Sequence, residues 1–232
     1  GRHAPLLFQY PERRKSPAKV LKRQKHMPKN ERIASDIVIS RLPYYLRTLK
    51  QLQATRNTII SKELAEIFGY TAPQVRKDLS QFGEFGKQGK GYDIDYLIRQ
   101  LEEILQVDRT WEMVLIGFGN VGHGVLNYYN TPDSGFRIVS VFDIDPNLIG
   151  REVHGVPIRS MDEAEAFIRK YEIRLALLAV PGSEAQSVAN QMIEYGVRGI
   201  LTYAPQNLVV PQDVQVRYID PISALQHMTF YL

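Results

Sequence analysis

Hydrophobic residues in the first third of the chain recur at the spacing of amphipathic helices. In "RLPYYLRTLKQLQA" three leucines share one side at three-residue intervals, and Pro43 suits the first turn of a helix. A second, shorter helix is predicted in "SKELAEIFG", with Ser61 as its N-cap and Gly69 at its end. The chain therefore opens its ordered part with a small helical module.

A third helix follows closely in "TAPQVRKDLSQFG". Thr71 and Gln74 have the spacing of a capping box at its start. Val75, Leu79 and Phe82 recur at helical spacing, so we expect them to face the core. Two short helices joined by a tight turn are typical of a helix-turn-helix motif.

The polar face of this third helix carries side chains that read base edges or bind phosphates in a major groove. Alone, the helix fits the solvated face of any small helical bundle better. The next segment, "GEFGKQGKGYDI", is typical of a tight hairpin with cations at its tip. A basic hairpin after a recognition helix is the wing of a winged helix, and the two together favour DNA binding. The candidate DNA-binding residues are Gln74, Arg76, Lys77, Ser80, Lys87, Lys90 and Tyr92.

Beyond residue 107 the pattern changes to short apolar runs that alternate with helical stretches. "EMVLIGFGNVGHGVLNYY" predicts a strand, a tight turn with the spacing GxGxxG, and a helix. In such a loop the first glycine permits the turn, the second lets the backbone approach a pyrophosphate, and the third lets the helix pack on the strand. The expected nucleotide contacts along the loop are Gly117, Phe118, Gly119, Asn120, Val121 and Gly122.

An acidic residue ends the next predicted strand, "FRIVSVFDIDP". The Asp143 carboxylate is placed to accept hydrogen bonds from an adenosine ribose and to repel a 2′-phosphate, which favours NAD(H) over NADP(H). Asp145 is the alternative if the strand runs two residues further. A second interpretation is that Asp143 only caps a turn before Pro146.

Alternation continues through "RLALLAVP", "EAQSVANQMIEYG", "VRGILTYAP" and "VQVRYID". These segments supply the strands and crossover helices of a parallel sheet, and ligands of such sheets lie at the carboxyl ends of the strands. The residues expected there, on the nicotinamide side, are Val180, Pro181, Ala204 and Pro205, although each fits a plain strand terminator equally well.

The predicted fold is an α/β, doubly wound parallel sheet of the Rossmann type, preceded by a winged-helix (helix-turn-helix) domain and a basic tail. The predicted segments are a basic tail whose composition permits disorder (1–35), the winged-helix domain (36–107), the dinucleotide-binding domain (108–215) and a C-terminal helix (216–232).

Charge is distributed unevenly along the 232 residues, although the total is only +4. Residues 1–32 hold ten Lys and Arg against two Asp and Glu, residues 36–92 hold nine against five, and residues 93–232 hold ten against eighteen. A basic N-terminal region followed by an acidic C-terminal region indicates a polyanion-binding module joined to a module that does not bind polyanions. For the tail alone, a solvated segment without a partner fits as well.

The absence of cysteine excludes disulfides and thiolate zinc sites and fits a reducing cytoplasm. No run of eighteen apolar residues occurs, so we expect no membrane span, and we predict no metal site. Of the histidines, His123 falls beside the glycine loop and His154 in a turn, and neither is placed for hydride chemistry. The expectation is a protein that is not an enzyme. The alternatives are an NAD-dependent oxidoreductase with an accessory basic domain and a CoA-binding protein with the same sheet.

In these motifs the chain resembles the Rex family of redox-sensing transcriptional repressors over about residues 36–232. The matching stretches include "RLPYY", "TAPQVRKDLS", "FGEFGK", "GFGNVG", "FDIDP" and the closing "FYL". The resemblance implies a homodimer that binds an inverted-repeat operator, with NADH weakening and NAD⁺ permitting DNA binding. It also implies that the final helix, "PISALQHMTFYL", swaps onto the partner subunit.

The resemblance further implies that Arg41, Tyr128 and Asp220 relay the state of the cofactor to the DNA-binding domain. The sequence departs from the family at two positions near the nicotinamide. Pro221 stands where a bulky apolar residue is usual, and Phe118 where a smaller one is usual.

Overall fold

The computed structural model describes residues 34–87, 90–129 and 135–232, and the chain divides after Leu101 into two compact units. Most of the predicted basic tail, residues 1–33, lies outside this range, as does the hairpin tip at residues 88–89. The helix-turn-helix and the parallel sheet predicted from the hydrophobic pattern both form, one in each unit.

The first unit is a helical module with a small antiparallel sheet of order β1-β3-β2. In chain order its elements are α1 (Asp36–Gln53), β1 (Thr58–Ile59), α2 (Ser61–Phe68), α3 (Ala72–Ser80), β2 (Gly86–Lys87), β3 (Gly91–Asp93) and α4 (Ile94–Leu105), the last of which crosses the division. The hairpin β2-β3 pairs Gly86 with Tyr92, and β1 pairs with the other edge of β3. The described residues thus form helix-turn-helix plus wing.

Two of the predicted helix starts are wrong. Helix α1 begins at Asp36, because the Ser35 side chain accepts a hydrogen bond from the Val38 N–H. Pro43 therefore lies inside the helix, where its missing N–H costs one backbone hydrogen bond. Helix α2 has Ile60, not Ser61, as its N-cap, and the Glu63 carboxylate reaches back to the Ile60 N–H over 2.9 Å.

The second unit is built on a seven-stranded sheet of order β10-β9-β8-β4-β5-β7-β6 in the described residues, in which β6 alone is antiparallel to its neighbour. Its elements are β4 (Trp111–Ile116), α5 (Asn120–Tyr129), β5 (Phe136–Asp143), β6 (Glu152–Val153), β7 (Val156–Ser160), a short 3₁₀ helix (Met161–Glu163), α6 (Ala164–Tyr171), β8 (Leu175–Leu178), α7 (Gly182–Tyr195), β9 (Gly199–Thr202), β10 (Gln215–Tyr218) and α8 (Pro221–Thr229). Strand order reverses between β4 and β8, which places the loop after β4 at the switch point where such sheets bind ligands.

The two faces of this sheet are covered unequally near β8 and β9. On one face Ala176, Leu178 and Ile200 are buried. On the other face, which also packs against α5, Leu177 of β8 is buried, but Leu201 of β9 and the following Tyr203 are only half-buried. The described part of the unit therefore leaves apolar sheet surface incompletely covered beside α5.

Candidate nucleotide site and DNA-binding surface

Each glycine of the loop after β4 has a separate geometric reason to be glycine. Gly117 has φ +89°, and a Cβ there would lie 2.6 Å from the Ala179 carbonyl oxygen. A Cβ on Gly122 would clash with the Gly117 carbonyl oxygen, so the start of α5 packs directly on the loop. A Cβ on Gly119 would meet no described atom within 4 Å. The loop is therefore closed on the sheet side and open above Gly119, the arrangement that a pyrophosphate needs.

The other residues of the loop differ in exposure. Phe118 is buried, with 2% of its surface exposed, and its ring lies 4.0 Å from the His123 ring, centroid to centroid. Asn120 and Val121 begin α5 and are exposed. Unpaired N–H groups at a helix start attract anions, so this end of α5 faces the open space with partial positive charge.

Asp143 ends β5 and braces the loop from below. One carboxylate oxygen accepts the Phe118 N–H over 2.6 Å, and the other accepts the Asp145 N–H over 2.8 Å. Each carboxylate oxygen has further lone pairs, and Asp143 is only half-buried, so both oxygens can still accept ribose hydroxyls. Asp145 instead accepts two hydrogen bonds from Asn147. Asp143 is therefore the aspartate that is hydrogen-bonded directly to the loop, a bracing role that was not foreseen from the sequence, and the choice between Asp143 and Asp145 as the ribose residue stays a prediction.

The four residues predicted on the nicotinamide side lie at the carboxyl edge of the sheet. Val180 is next to the loop, since its Cγ1 would lie 3.0 Å from a Cβ on Gly117. Pro181 is the N-cap of α7. Ala204 is buried and donates its N–H to Thr202 Oγ1, while Pro205 lies beside Gly182. Nicotinamide contact stays a prediction for all four.

On α3 the predicted face is the exposed one. Arg76, Lys77 and Ser80 are exposed and Gln74 is half-buried. Arg76 donates a hydrogen bond to Ser61 Oγ over 3.0 Å, which orients its guanidinium along the start of α2. Of the predicted capping box, the Thr71 half forms, because Thr71 Oγ1 accepts the Gln74 N–H.

In the wing, Lys90 is exposed, whereas the Lys87 side chain lies outside the described residues. Tyr92 has 9% of its surface exposed, and its ring packs on Gly86, where a Cβ would lie 2.9 Å away. Burial raises the pKa of the Tyr92 hydroxyl, and the nearby Arg76 charge opposes this. The ring thus supports the hairpin from inside, and a DNA contact by Tyr92 stays a prediction.

The three predicted relay residues have different surroundings. In the first unit, Arg41 forms an ion pair with Asp78 over 2.8 Å. In the second unit, Tyr128 is exposed at the end of α5, and Asp220 is the N-cap of α8. Hydrogen bonds from Ser223 and Ile222 hold the pKa of Asp220 below its usual value. A relay among the three stays a prediction.

Sequence reasoning missed two polar groups. Asp78 lies on the core side of α3 with 2% of its side chain exposed, and the signal was an acidic residue between core positions Val75 and Leu79. Tyr129 and Tyr203 share a side-chain hydrogen bond on the incompletely covered sheet face, and burial raises the pKa of Tyr129 to about 12. Tyrosines in these positions gave no pattern that distinguished them from plain core residues.

The C-terminal helix α8 does not bury its apolar side chains against the described residues. Ile222, Leu225 and Met228 are each more than half exposed, at 62%, 55% and 59%. The closing Phe230 and Tyr231 are more exposed still, at 83% and 72%. Such a helix needs a partner surface to be stable in water.

The described residues contain no group of three His, Asp or Glu side chains that could hold a metal ion. Among the same residues, none of the helices combines the length and apolar character required to cross a membrane.

Two protein-family models match the chain. A model described as "Putative DNA-binding protein N-terminus" covers residues 34–80, and one described as "CoA binding domain" covers residues 108–206. The redox-sensing transcriptional repressor Rex of Roseiflexus sp. (strain RS-1) is 46% identical over 198 residues, which are 85% of this chain and 90% of that protein. The Rex protein of Brevibacillus brevis is 40% identical over 207 residues, which are 89% of this chain and 100% of that protein.

Solved structures are similar over the same extent. A crystal structure of RSP in complex with beta-NAD+ and operator DNA matches with a TM-score of 0.81 and 36% identity, covering 87% of this chain and 93% of that one. A structure of RSP in complex with beta-NADH matches with a TM-score of 0.78 and 34% identity, covering 87% and 95%. RSP itself is described as a Rex-family repressor.

A winged helix followed by a dinucleotide-type sheet defines a class of DNA-binding regulators that respond to a nucleotide. Within that class, this chain belongs to the Rex family of redox-sensing transcriptional repressors. The resemblance drawn from its motifs is confirmed.

Proposed function

We propose that this protein represses transcription by binding operator DNA through its winged helix and is released when NADH occupies its glycine loop. One observation carries the proposal: a single chain joins exposed Arg76 and Lys77 on a recognition helix to a glycine loop braced by Asp143. The recognition helix binds DNA, and the glycine loop binds the cofactor that controls this binding. The protein therefore senses NAD(H) and does not catalyse its oxidation or reduction.

The residues of the loop fit a dinucleotide. The open space above Gly119 suits a pyrophosphate, and Asp143 retains acceptor capacity for ribose hydroxyls. Asp143 would repel a 2′-phosphate, which favours NAD(H) over NADP(H). RSP, a relative of similar fold, is described in complexes with beta-NAD+ and with beta-NADH.

The redox state of the nicotinamide supplies the signal. A reduced ring is uncharged and can be enclosed by apolar surface, whereas the oxidised ring is a cation that resists burial. Val180, which is half-buried beside Gly117, offers apolar surface next to the loop. NADH therefore stabilises a closed state that does not bind DNA, to the extent of its differential affinity for the two states.

We propose a homodimer as the DNA-binding form. Two surfaces of the second unit lack full cover within the described chain, namely the sheet face at Leu201 and Tyr203 and the apolar side of α8. A helix exchanged between two copies would bury both, and the two winged helices would then read an inverted repeat. We expect this dimer to act in the cytoplasm and without enzymatic activity.

The match to the "CoA binding domain" model over residues 108–206 favours a second candidate ligand for the same loop. CoA would place its pyrophosphate on the same glycines. Its 3′-phosphate would meet the carboxylate of Asp143 with like charge, which disfavours it. Competition between CoA and NADH for the purified protein would decide between the two.

The direct test is fluorescence anisotropy of a labelled inverted-repeat DNA, titrated with protein at fixed salt and then with NADH or NAD⁺. Release by NADH and retention with NAD⁺ is the expected result. DNA that stays bound whatever the nucleotide would contradict the proposal. Steady oxidation of NADH with a small carbonyl compound would favour an oxidoreductase instead.

A further inference from the structure

The recognition helix α3 carries a buried charge on the side opposite its proposed DNA contacts. The Asp78 side chain is 2% exposed, whereas Arg76 and Lys77, which immediately precede it, are exposed. Burial of a carboxylate is costly unless it is paired and hydrogen-bonded. Apolar packing of α3 alone therefore does not account for a carboxylate in this position.

Both oxygens of Asp78 are held by helix α1. Arg41 Nη2 donates to Oδ1 over 2.8 Å, and the Tyr45 hydroxyl donates to Oδ2 over 2.8 Å. Burial and the hydrogen bond to Asp78 both raise the pKa of Tyr45, so it stays a protonated donor. The Arg41 guanidinium also lies 5.5 Å from the centre of the Tyr70 ring, between α2 and α3. Helix α1 thus holds the carboxylate directly, and the turn between α2 and α3 contacts its Arg41 partner.

We propose that Asp78 is a positioning residue that sets the rotation of the recognition helix for sequence-specific DNA binding. The apolar contacts of Val75 and Leu79 are not directional and tolerate small rotations of α3. Two hydrogen bonds on the two oxygens of one carboxylate are directional and do not. Because Arg76 and Lys77 adjoin Asp78 on the same helix, any rotation that Asp78 prevents would re-aim both side chains.

This inference rests on the proposed operator binding, so the unmodified protein is measured first. Without operator binding by that protein, the proposed function fails and the role of Asp78 fails with it. With operator binding established, affinity for operator and for random-sequence duplex DNA is compared at the same salt concentration. Phosphate contacts contribute to the affinity for both DNAs, whereas base contacts contribute mainly to the affinity for the operator. The ratio of the two affinities therefore reports whether the base-contacting side chains are correctly oriented.

Asp78→Asn keeps the shape of the side chain but removes the charge opposite Arg41. We expect operator affinity to fall by about tenfold to a hundredfold, since misdirected base contacts lose most of their value. Random-sequence affinity and NADH affinity should stay within about threefold of the unmodified protein.

Tyr45→Phe is the milder variant, since it removes one hydrogen bond without unbalancing the buried charges. A smaller loss of the affinity ratio in the same direction is expected. Asp95→Asn is the matched control, because it makes the same carboxylate-to-amide change at an exposed residue that accepts a hydrogen bond from Gln53, a bond that joins α1 to α4 and does not involve α3. The control should leave both DNA affinities unchanged.

A merely structural role for Asp78 gives a different pattern. Operator and random-sequence affinity would then fall together, in step with a lower unfolding midpoint, and the ratio would not move. That outcome overturns the proposal, and so does an unchanged ratio in both Asp78→Asn and Tyr45→Phe.

Discussion

The glycine loop of the second unit and the recognition helix of the first are both proposed to hold phosphates, but they are built in opposite ways. In the loop, the backbone is proposed to bind the phosphates, and the absence of side chains at Gly117, Gly119 and Gly122 permits the turn and the close approach. The helix α3 works through exposed side chains on regular backbone. We therefore expect nucleotide binding to be lost when side-chain atoms are added to the loop, and DNA binding to be lost when side-chain atoms are removed from the helix.

Each region is also braced by an aspartate, and the two aspartates differ in what they leave available. Asp78 is almost fully buried, and both of its oxygens accept from side chains. Asp143 is half-buried and accepts from two backbone N–H groups, which leaves room for a ligand. The same residue type thus holds a surface in place in one unit and is open to a ligand in the other.

Adding a methyl group at Gly117 should have the largest effect. Gly117→Ala combines a left-handed φ of +89° with a Cβ 2.6 Å from the Ala179 carbonyl oxygen, and backbone cannot move aside cheaply. We expect a loss of about 3 kcal/mol or more in unfolding free energy and no measurable NADH binding. Chemical denaturation and nucleotide titration would measure these.

Gly150→Ala is the matched control for that substitution. Gly150 has a similar φ of +85°, but a Cβ there meets no described atom within 4 Å. Only the conformational cost of about 1–2 kcal/mol should appear. Equal losses for the two variants would show that close contact at Gly117 is not what demands glycine.

Removing atoms from the helix should have the next largest effect. Arg76→Ala with Lys77→Ala is expected to cost about 1–3 kcal/mol per side chain in operator affinity and to reduce the salt dependence of binding. NADH affinity should not change. Anisotropy at several salt concentrations measures the loss, with Lys170→Ala, a change to an exposed residue of α6, as the control. Loss of NADH affinity in the double variant would contradict the assignment of DNA binding and nucleotide binding to separate modules.

Asp143→Ala tests the brace of the loop. Hydrogen bonds to a charged group contribute about 1.5–3 kcal/mol, so NADH affinity should fall by about tenfold or more, and the protein should repress at NADH levels that normally release it. Asp143→Asn retains an oxygen that can accept from the Phe118 N–H and should lose less. Unchanged affinity in Asp143→Ala, with a loss in Asp145→Ala, would assign the ribose to Asp145.

Hydrophobic periodicity and glycine spacing were enough to predict both folded modules, because helix and strand periods differ and the GxGxxG loop has a strict geometry. Helix starts were less predictable, as α1 shows: Pro43 suits a first turn, but Ser35 offers a cap one residue before the helix begins. Asp78 was missed because its partners Arg41 and Tyr45 lie more than thirty residues earlier in the chain, and local pattern does not report pairing at that separation. Long-range pairs of this kind are visible only after folding.

The smallest effect on stability is expected at Gly119, where the loop can be tested without disturbing the fold. A Cβ there meets no described atom within 4 Å, so Gly119→Ala should change the unfolding free energy by no more than about 0.5 kcal/mol. The same methyl group would occupy the space proposed for the pyrophosphate, and NADH affinity should fall about tenfold or more. Denaturation and NADH titration of the same sample separate the two effects. Full NADH affinity in Gly119→Ala would mean that the nucleotide does not lie above this glycine, and the proposed binding site would have to move along the sheet edge.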